Sequence, residues 1–124
     1  MTSVHSPASP ALFNPEVLSA KLGTDDSAKL RALYELYLEH TAIEVVLLQQ
    51  MSFPDDLNRL NATAHKLKSS SANVGAEQMV SELQVLETAA QNGDIEAAIR
   101  GVTTIYCCWE QTSKAVREKL KALV

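Results

Sequence analysis

Apolar residues recur every three or four positions along most of this chain, which is the spacing of one face of an α-helix. The pattern predicts a short helix that ends near Leu22 and four longer helices over about 25–51, 54–74, 76–91 and 94–123. No alternating strand pattern competes with it. The expected core positions are Leu30, Leu33, Tyr37, Val45 and Leu48; Leu57, Leu60, Ala64, Leu67, Ser71 and Val74; Met79, Val80, Leu83, Leu86 and Ala90; and Ile95, Ile99, Val102, Ile105 or Tyr106, Trp109, Val116, Leu120 and Leu123.

Helix-capping and helix-breaking residues separate these segments. Asn14 followed by Pro15 is expected to start the first helix, and Gly23 to end it. Long amphipathic helices joined by short turns bury their apolar faces by packing antiparallel. The expected fold is therefore all-α: an antiparallel up-down-up-down four-helix bundle with a short additional N-terminal helix over residues 13–124. Residues 1–12 carry two prolines and three serines and are expected to be a flexible tail or the remnant of a linker.

Composition and charge exclude several classes of function. The chain has 124 residues and a net charge of −4, with no basic stripe, so nucleic-acid binding is not expected. No apolar run reaches the roughly 20 residues that a membrane span needs, and no secretory signal is visible. His5 and His40 lack neighbours at metal-ligand spacing, so no metal site is expected. Adjacent Cys107 and Cys108 build no disulfide framework, which favours a cytoplasmic protein. The chain is expected to be a monomer.

The candidate chemistry centres on His65 in the third long helix. At about 100° per residue, its side chain lies roughly 130° from the centre of the apolar face and is expected to point to solvent. Most of its helical neighbours are small, so the surface around the imidazole should be flat enough for a protein partner to approach closely. We expect this docking face to comprise Asn61, Ala62, Ser69 and Ala72.

Lys68 follows His65 by three positions and is expected to be an exposed surface neighbour. Its ammonium would favour a neutral imidazole and would attract a phosphoryl dianion placed on the ring. A neutral imidazole nitrogen is a competent nucleophile. An ordinary surface histidine beside an ordinary lysine is the alternative interpretation, and the spacing by itself does not decide between the two.

The segment HKLKSSSANVGA resembles the motif of the histidine-containing phosphotransfer (HPt) domain, which runs His-x-Leu-Lys-Gly-Ser-Ser/Ala, three variable residues, then Gly-Ala. Similarity continues upstream in FNPEVLSAKLG and LYELYLEH and downstream in ELQVLETAAQNGDIEAA, and covers about residues 13–124. Ser69 stands where the family usually has glycine, a residue that leaves room for the incoming partner. The matching positions are His65, Leu67, Lys68, Ser70, Ser71, Gly75 and Ala76. Apart from His65 and Lys68, these residues are expected to be structural.

The resemblance implies a phosphorelay intermediate. Such a domain accepts a phosphoryl group on its histidine, here His65, from the phospho-aspartate of a receiver domain and passes it to the aspartate of another response regulator. Lys68 would support the phosphoryl group electrostatically. The resemblance implies a phosphoryl carrier rather than an enzyme, with no ATP site and no cofactor of its own, since Mg²⁺ is expected on the partner receiver domain.

The expected partners are receiver domains of response regulators, or a hybrid sensor histidine kinase of which this chain would be the cytoplasmic C-terminal part. Two alternatives stay open. One is a kinase-attached substrate domain that an ATP-dependent histidine kinase phosphorylates directly. The other is a non-phosphorylated adaptor that only docks receiver domains.

Overall fold

Five α-helices make up most of residues 11–123, the part of the chain that the computed structural model describes. The predicted tail over residues 1–12 falls outside this range except for its last two residues. The helices match the predicted segments to within three residues at each end. They are α1 (Val17–Leu22), α2 (Ser27–Gln49), α3 (Leu57–Val74), α4 (Glu77–Gln91) and α5 (Ile95–Ala122).

Aspartate side chains cap two of the long helices. At the start of α2, the carboxylate of Asp26 accepts hydrogen bonds from the backbone N–H groups of Ala28 at 3.0 Å and Lys29 at 3.3 Å. At the start of α5, Asp94 accepts one from Ala97 at 3.1 Å. These bonds satisfy N–H groups that have no partner inside the helix, so the two turns before α2 and α5 end at defined residues.

The first helix begins at Val17 and not at Pro15, so the prediction of Asn14 as its capping residue is wrong. Asn14 lies two residues before the N-cap residue, Glu16. Its side-chain oxygen accepts from the N–H of Glu16 at 3.1 Å, and its backbone N–H donates to the carbonyl of Gly75 at 2.8 Å. The segment before α1 is therefore tied to the turn between α3 and α4.

The third helix begins at Leu57, three residues later than predicted. Residues 52–56 form a turn instead. The N–H of Asp56 donates to the carbonyl of Ser52 at 2.8 Å, and the carboxylate of Asp56 accepts from the N–H of Ser52 at 2.8 Å. Because Asp56 closes this turn, it makes no side-chain cap on α3 itself.

The four long helices pack as the predicted bundle, and the all-α fold is confirmed. Each of them contacts its neighbour in sequence, α5 closes the ring against α2, and α1 lies on α3. In this ring α3 and α5 are diagonal to each other. Helices α4 and α5 approach closely at Gly101, where a Cβ atom would lie only 2.7 Å from Cδ1 of Leu86.

Two predicted core positions are wrong. Leu33 is 37% exposed and Ile99 is 54% exposed, and the core positions beside them belong to Tyr34 and Ala98. One residue along a helix turns a side chain by about 100°, so a shift of one position moves it out of the core. Polar Thr41 is also fully buried in α2, which hid the true register of the apolar stripe. The largest fully buried apolar side chains are Tyr34, Leu48, Leu60, Met79, Leu83, Leu86, Ile105 and Val116.

Candidate functional site

His65 lies on the solvent-facing side of α3, as the helical wheel predicts. Its side chain is 66% exposed, whereas Ala64 and Leu67 on the same helix are buried in the core. A rigid helix anchored by buried neighbours on both sides therefore holds the imidazole at the surface. The ring is open to an approaching partner, and the helix that carries it is held in place by the core.

A buried carboxylate from α4 holds one nitrogen of this ring. Nδ1 of His65 lies 2.8 Å from Oε2 of Glu87, and the Glu87 side chain is only 7% exposed. An ionised carboxylate accepts hydrogen bonds and donates none, so Nδ1 must carry the shared hydrogen. In the neutral imidazole the lone pair then resides on Nε2, the nitrogen that Glu87 does not contact.

Lys68 is not the exposed cation that the sequence predicts. Its side chain is 22% exposed, because the position three residues after His65 faces α4. The ammonium donates to Oε1 of Glu87 at 2.6 Å and to the side-chain oxygen of Gln84 at 2.7 Å. Lys68 therefore neutralises the carboxylate that holds His65.

The electrostatics of Glu87 follow from these contacts. The hydrogen bond from Lys68 is the largest influence and lowers the pKa of the Glu87 carboxyl. Burial opposes it, and the bond to His65 lowers the pKa further. The carboxylate is consequently ionised at neutral pH although it is nearly inaccessible to water.

Glu87 and Gln84 were not among the predicted site residues. Glu87 lies four residues after Leu83 and three before Ala90, so it falls on the buried stripe of α4. A charged side chain in a core position requires a partner, and that requirement was the available signal. The sequence does not indicate which residue is the partner of Glu87, because that depends on how α3 and α4 are aligned.

The residues of the predicted docking face lie on one side of α3. Ala62, Ser69 and Ala72 are exposed. Asn61 is half-buried, and its side-chain oxygen accepts a hydrogen bond from Nε2 of Gln91 at 3.2 Å, so it belongs partly to the contact between α3 and α4. The surface beside His65 is formed by short side chains, which leaves the imidazole projecting above it.

The motif residues predicted to be structural lie at or near the core. Ser71 is fully buried, and its hydroxyl shares a hydrogen bond of 2.8 Å with the hydroxyl of Tyr37. Ser70 is half-buried and donates to the carbonyl of Leu67 at 3.1 Å. The remaining members, Leu67, Gly75 and Ala76, are buried.

An apolar groove runs between α1, α2 and α3, beside α3 on the side facing α2. It encloses about 680 Å³ and is lined by large apolar side chains that are also partly open to solvent, Leu22, Leu33, Leu36 and Ile43. A surface ion pair between Lys66 and Glu44 lies at the same groove. Exposed apolar surface of this kind is typical of a site that binds a protein, a membrane or a small ligand.

A family model described as the Hpt domain matches residues 32–124, and the chain belongs to this family. Comparisons with curated proteins and with solved structures found no match. Hpt domains carry phosphoryl groups on histidine in two-component systems; they interact with receiver domains and are not ATP-dependent kinases. Within residues 11–123, none of the helices combines the length and apolar character needed to cross a bilayer.

Lys68→Ala is expected to destabilise the bundle by about 2 kcal/mol at pH 7, because it leaves a buried carboxylate without its cation. Lys66→Ala is the matched control on the same helix: this side chain is 64% exposed, and the loss should stay below about 1 kcal/mol. Urea unfolding of the two variants measures the difference.

The same experiment has a defined pH dependence. A carboxyl whose pKa is lowered in the folded state contributes stability above its unfolded value of 4.5, and this contribution disappears as the pH falls through the folded-state value. The difference in free energy of unfolding between wild type and Lys68→Ala should therefore decrease below about pH 4.5. Equal losses for both lysine variants at pH 7 would contradict the role given to Lys68.

Proposed function

We propose that this chain is a phosphorelay intermediate that accepts a phosphoryl group on Nε2 of His65 from the phospho-aspartate of a receiver domain and passes it to the aspartate of another response regulator. The observation that carries the proposal is the state of the imidazole. It is largely exposed, its Nδ1 is held by Glu87, and its Nε2 has no hydrogen-bond partner among residues 11–123. Membership of the Hpt family supports the same chemistry.

In the proposed reaction, the lone pair on Nε2 attacks the phosphorus of the acyl phosphate. The N–P bond forms, the P–O bond to aspartate breaks, and its electron pair leaves on the aspartate carboxylate. No base has to remove a proton from the nucleophile, because Nε2 carries none in this tautomer. The bond to Glu87 also fixes the ring plane, which preserves the alignment that an in-line displacement needs.

Lys68 contributes to this reaction mainly through Glu87. An ammonium has three N–H donors, and Glu87 and Gln84 use two of them. The third supplies electrostatic support to the phosphoryl group, although the adjacent carboxylate offsets part of its charge. Mg²⁺ and other groups of the receiver domain would neutralise the remaining transition-state charge, so we expect this chain to need no cofactor of its own.

We assign receiver docking to two adjoining surfaces. The first is the face of short side chains around His65, comprising Ala62, Ser69 and Ala72 with Asn61 at its edge. The second is the apolar groove between α1, α2 and α3, which would supply binding energy beside the reacting histidine. Both include α3, so a partner that fills the groove is brought close to the imidazole. Hpt domains are typically cytoplasmic, and we propose the same location and a monomeric state for this chain.

The test is phosphorylation by a purified phosphorylated receiver domain. The label on this chain should be acid-labile and base-stable, as a phosphoramidate bond is. His65→Gln should remove the label and retain the helical content of the wild type. The double variant His5→Gln/His40→Gln, which keeps His65 as its one histidine, should reach the same end-point labelling as the wild type.

The outcomes separate the three functions that the sequence left open. Labelling by the receiver that survives in His65→Gln rejects the proposed site. Labelling by an ATP-dependent histidine kinase but by no receiver domain identifies a kinase substrate domain. Receiver binding without any labelling identifies an adaptor.

A further inference from the structure

The charge of the imidazole changes during the proposed reaction, and Glu87 contacts the atom where the change matters. When Nε2 attacks phosphorus with a hydrogen on Nδ1, the product ring carries one positive charge shared between its two nitrogens. The only nitrogen-bound proton on that ring is the one on Nδ1. In this structure Nδ1 forms a hydrogen bond of 2.8 Å with Oε2 of Glu87.

That proton decides how easily the phosphoryl group leaves again. In onward transfer the N–P bond breaks and its electron pair returns to Nε2. If Nδ1 is protonated, the departing group is a neutral imidazole. If Nδ1 has lost its proton, the departing group is an imidazolate anion, which is a far stronger base and a far poorer leaving group. Transfer therefore stops being effective at the pH where phosphorylated His65 loses the Nδ1 proton.

The surroundings of Glu87 suit it to holding this proton. From α3, the charged side chains that face it are Lys68 and His65; on α4, Gln84 binds the same ammonium and is uncharged. Helix α5 packs against α4 but, among residues 11–123, contributes no hydrogen bond or ion pair to Glu87. The carboxylate is nearly inaccessible to water, so its attraction for a cationic ring is weakly screened. Lys68 keeps it ionised before and after phosphorylation.

We propose that Glu87 is a positioning residue that keeps the Nδ1 proton on phosphorylated His65 and so sets the upper pH limit for passing the phosphoryl group on. The inference rests on the proposed function of His65. It goes further in assigning to this chain, and not to the receiver, control over when the phosphoryl group can leave. Glu87 touches the ring but neither phosphorus nor a reacting oxygen, so it acts through His65.

The direct test is the titration of Nδ1 in the phosphorylated protein. The full chain is phosphorylated with phosphoramidate, a small chemical donor that requires no partner, and ¹⁵N and ³¹P NMR follow the ring from about pH 5 to pH 10. Free Nε2-phosphohistidine is the reference. An adjacent carboxylate should raise the titration midpoint of the protein by about 1–3 pH units over the reference. A midpoint equal to that of free phosphohistidine would overturn the proposal.

The matched variants separate charge from shape. Glu87→Gln retains the size of the side chain and removes its charge, so the midpoint should fall by at least about 1 pH unit. Glu82→Gln makes the same charge change on the same helix. Its carboxylate acts on Cys108 instead, where burial is the main cause that raises the pKa of the thiol and Glu82 adds a smaller effect. This control should leave the midpoint unchanged, and an equal shift in both variants would reject the assignment to Glu87.

The functional readout is the pH profile of transfer from the phosphorylated chain to an unphosphorylated receiver. The alkaline limb of the Glu87→Gln profile should move to lower pH in step with the NMR midpoint, whereas a purely structural defect lowers the rate equally at every pH. Superimposable profiles after scaling would refute the proposal. If Glu87→Gln does not fold, the wild-type titration against free phosphohistidine decides. Because phosphoramidate labels the ring without a receiver, failure of receiver transfer counts against the proposed function and leaves the proton assignment separately measurable.

Discussion

Ser69→Gln is expected to slow phosphoryl transfer from a receiver to His65 by about a hundredfold or more while the bundle stays folded. Ser69 is exposed and lies one turn after the histidine, so the two side chains project from neighbouring positions on the same side of α3. A glutamine there would occupy the space that the receiver must enter. Displacing two reacting groups by about 1 Å costs on the order of a hundredfold in rate, so even partial obstruction has a large effect.

The opposite change gives the opposite expectation. Ser69→Gly restores the small residue that the Hpt family usually has, and transfer should be as fast as in the wild type or faster. A glycine inside a helix costs roughly 0.5–1 kcal/mol of stability, which the bundle should tolerate. Stopped-flow or quenched-flow transfer assays with one receiver compare all three proteins, and thermal unfolding confirms the small loss.

Thr104→Gln is the matched control for a bulky substitution. Thr104 is an exposed hydroxyl residue on α5, the helix diagonal to α3. A glutamine at this position should leave the transfer rate unchanged. If Ser69→Gln and Thr104→Gln both transfer at the wild-type rate, the receiver does not approach over the surface around Ser69, and the docking face has to be placed elsewhere.

Gly75→Ala is expected to lower the free energy of unfolding by about 3 kcal/mol or more. Gly75 ends α3 with a φ of 83°, a left-handed conformation that costs an alanine about 1–2 kcal/mol. A Cβ atom at this position would also overlap the carbonyl oxygen of Asn14 and lie 3.0 Å from Cβ of Val17. The overlapping atom is backbone, so the segment before α1 must move away. That movement breaks the Asn14–Gly75 hydrogen bond, worth about 1 kcal/mol.

Gly93→Ala isolates the conformational part of this cost. Gly93 has a φ of 67°, and an added Cβ would meet nothing within 4 Å. The free energy of unfolding of Gly93→Ala should fall by about 1–2 kcal/mol, measured by urea unfolding beside Gly75→Ala. Identical losses at the two glycines would show that the close approach of the N-terminal segment to Gly75 contributes nothing to stability.

The helices themselves could be predicted because their signals are local. Apolar residues recurring every three to four positions, capping aspartates and turn glycines lie within a few residues of the structure they specify, and all five helices begin within three residues of the predicted position. The direction of His65 was equally predictable, since the angle between two side chains on one helix depends only on their separation in sequence. The motif around it was sufficient to indicate the Hpt family before any contact was known.

The errors concern residues whose environment depends on another helix. Asn14 was predicted to cap a helix beginning at Pro15, but the helix begins at Val17, and the backbone N–H of Asn14 donates to Gly75, a residue sixty-one positions away whose proximity no local pattern encodes. Leu33 is as apolar as its neighbours, and only the packing of α2 against α3 and α5 leaves it exposed while Tyr34 is buried.

Sequence by itself determined the helical bundle, the placement of an exposed histidine among short side chains, and a lysine one turn away. Tertiary structure alone decided what the lysine does. Packing of α4 against α3 brings Glu87 to Nδ1 of His65 and to Lys68, which converts an apparent surface cation into the counter-ion of a buried carboxylate. The physical reason is that a hydrogen bond between separate helices requires its two atoms to be placed to within a few tenths of an ångström, whereas periodicity specifies only the side of a helix on which a residue lies.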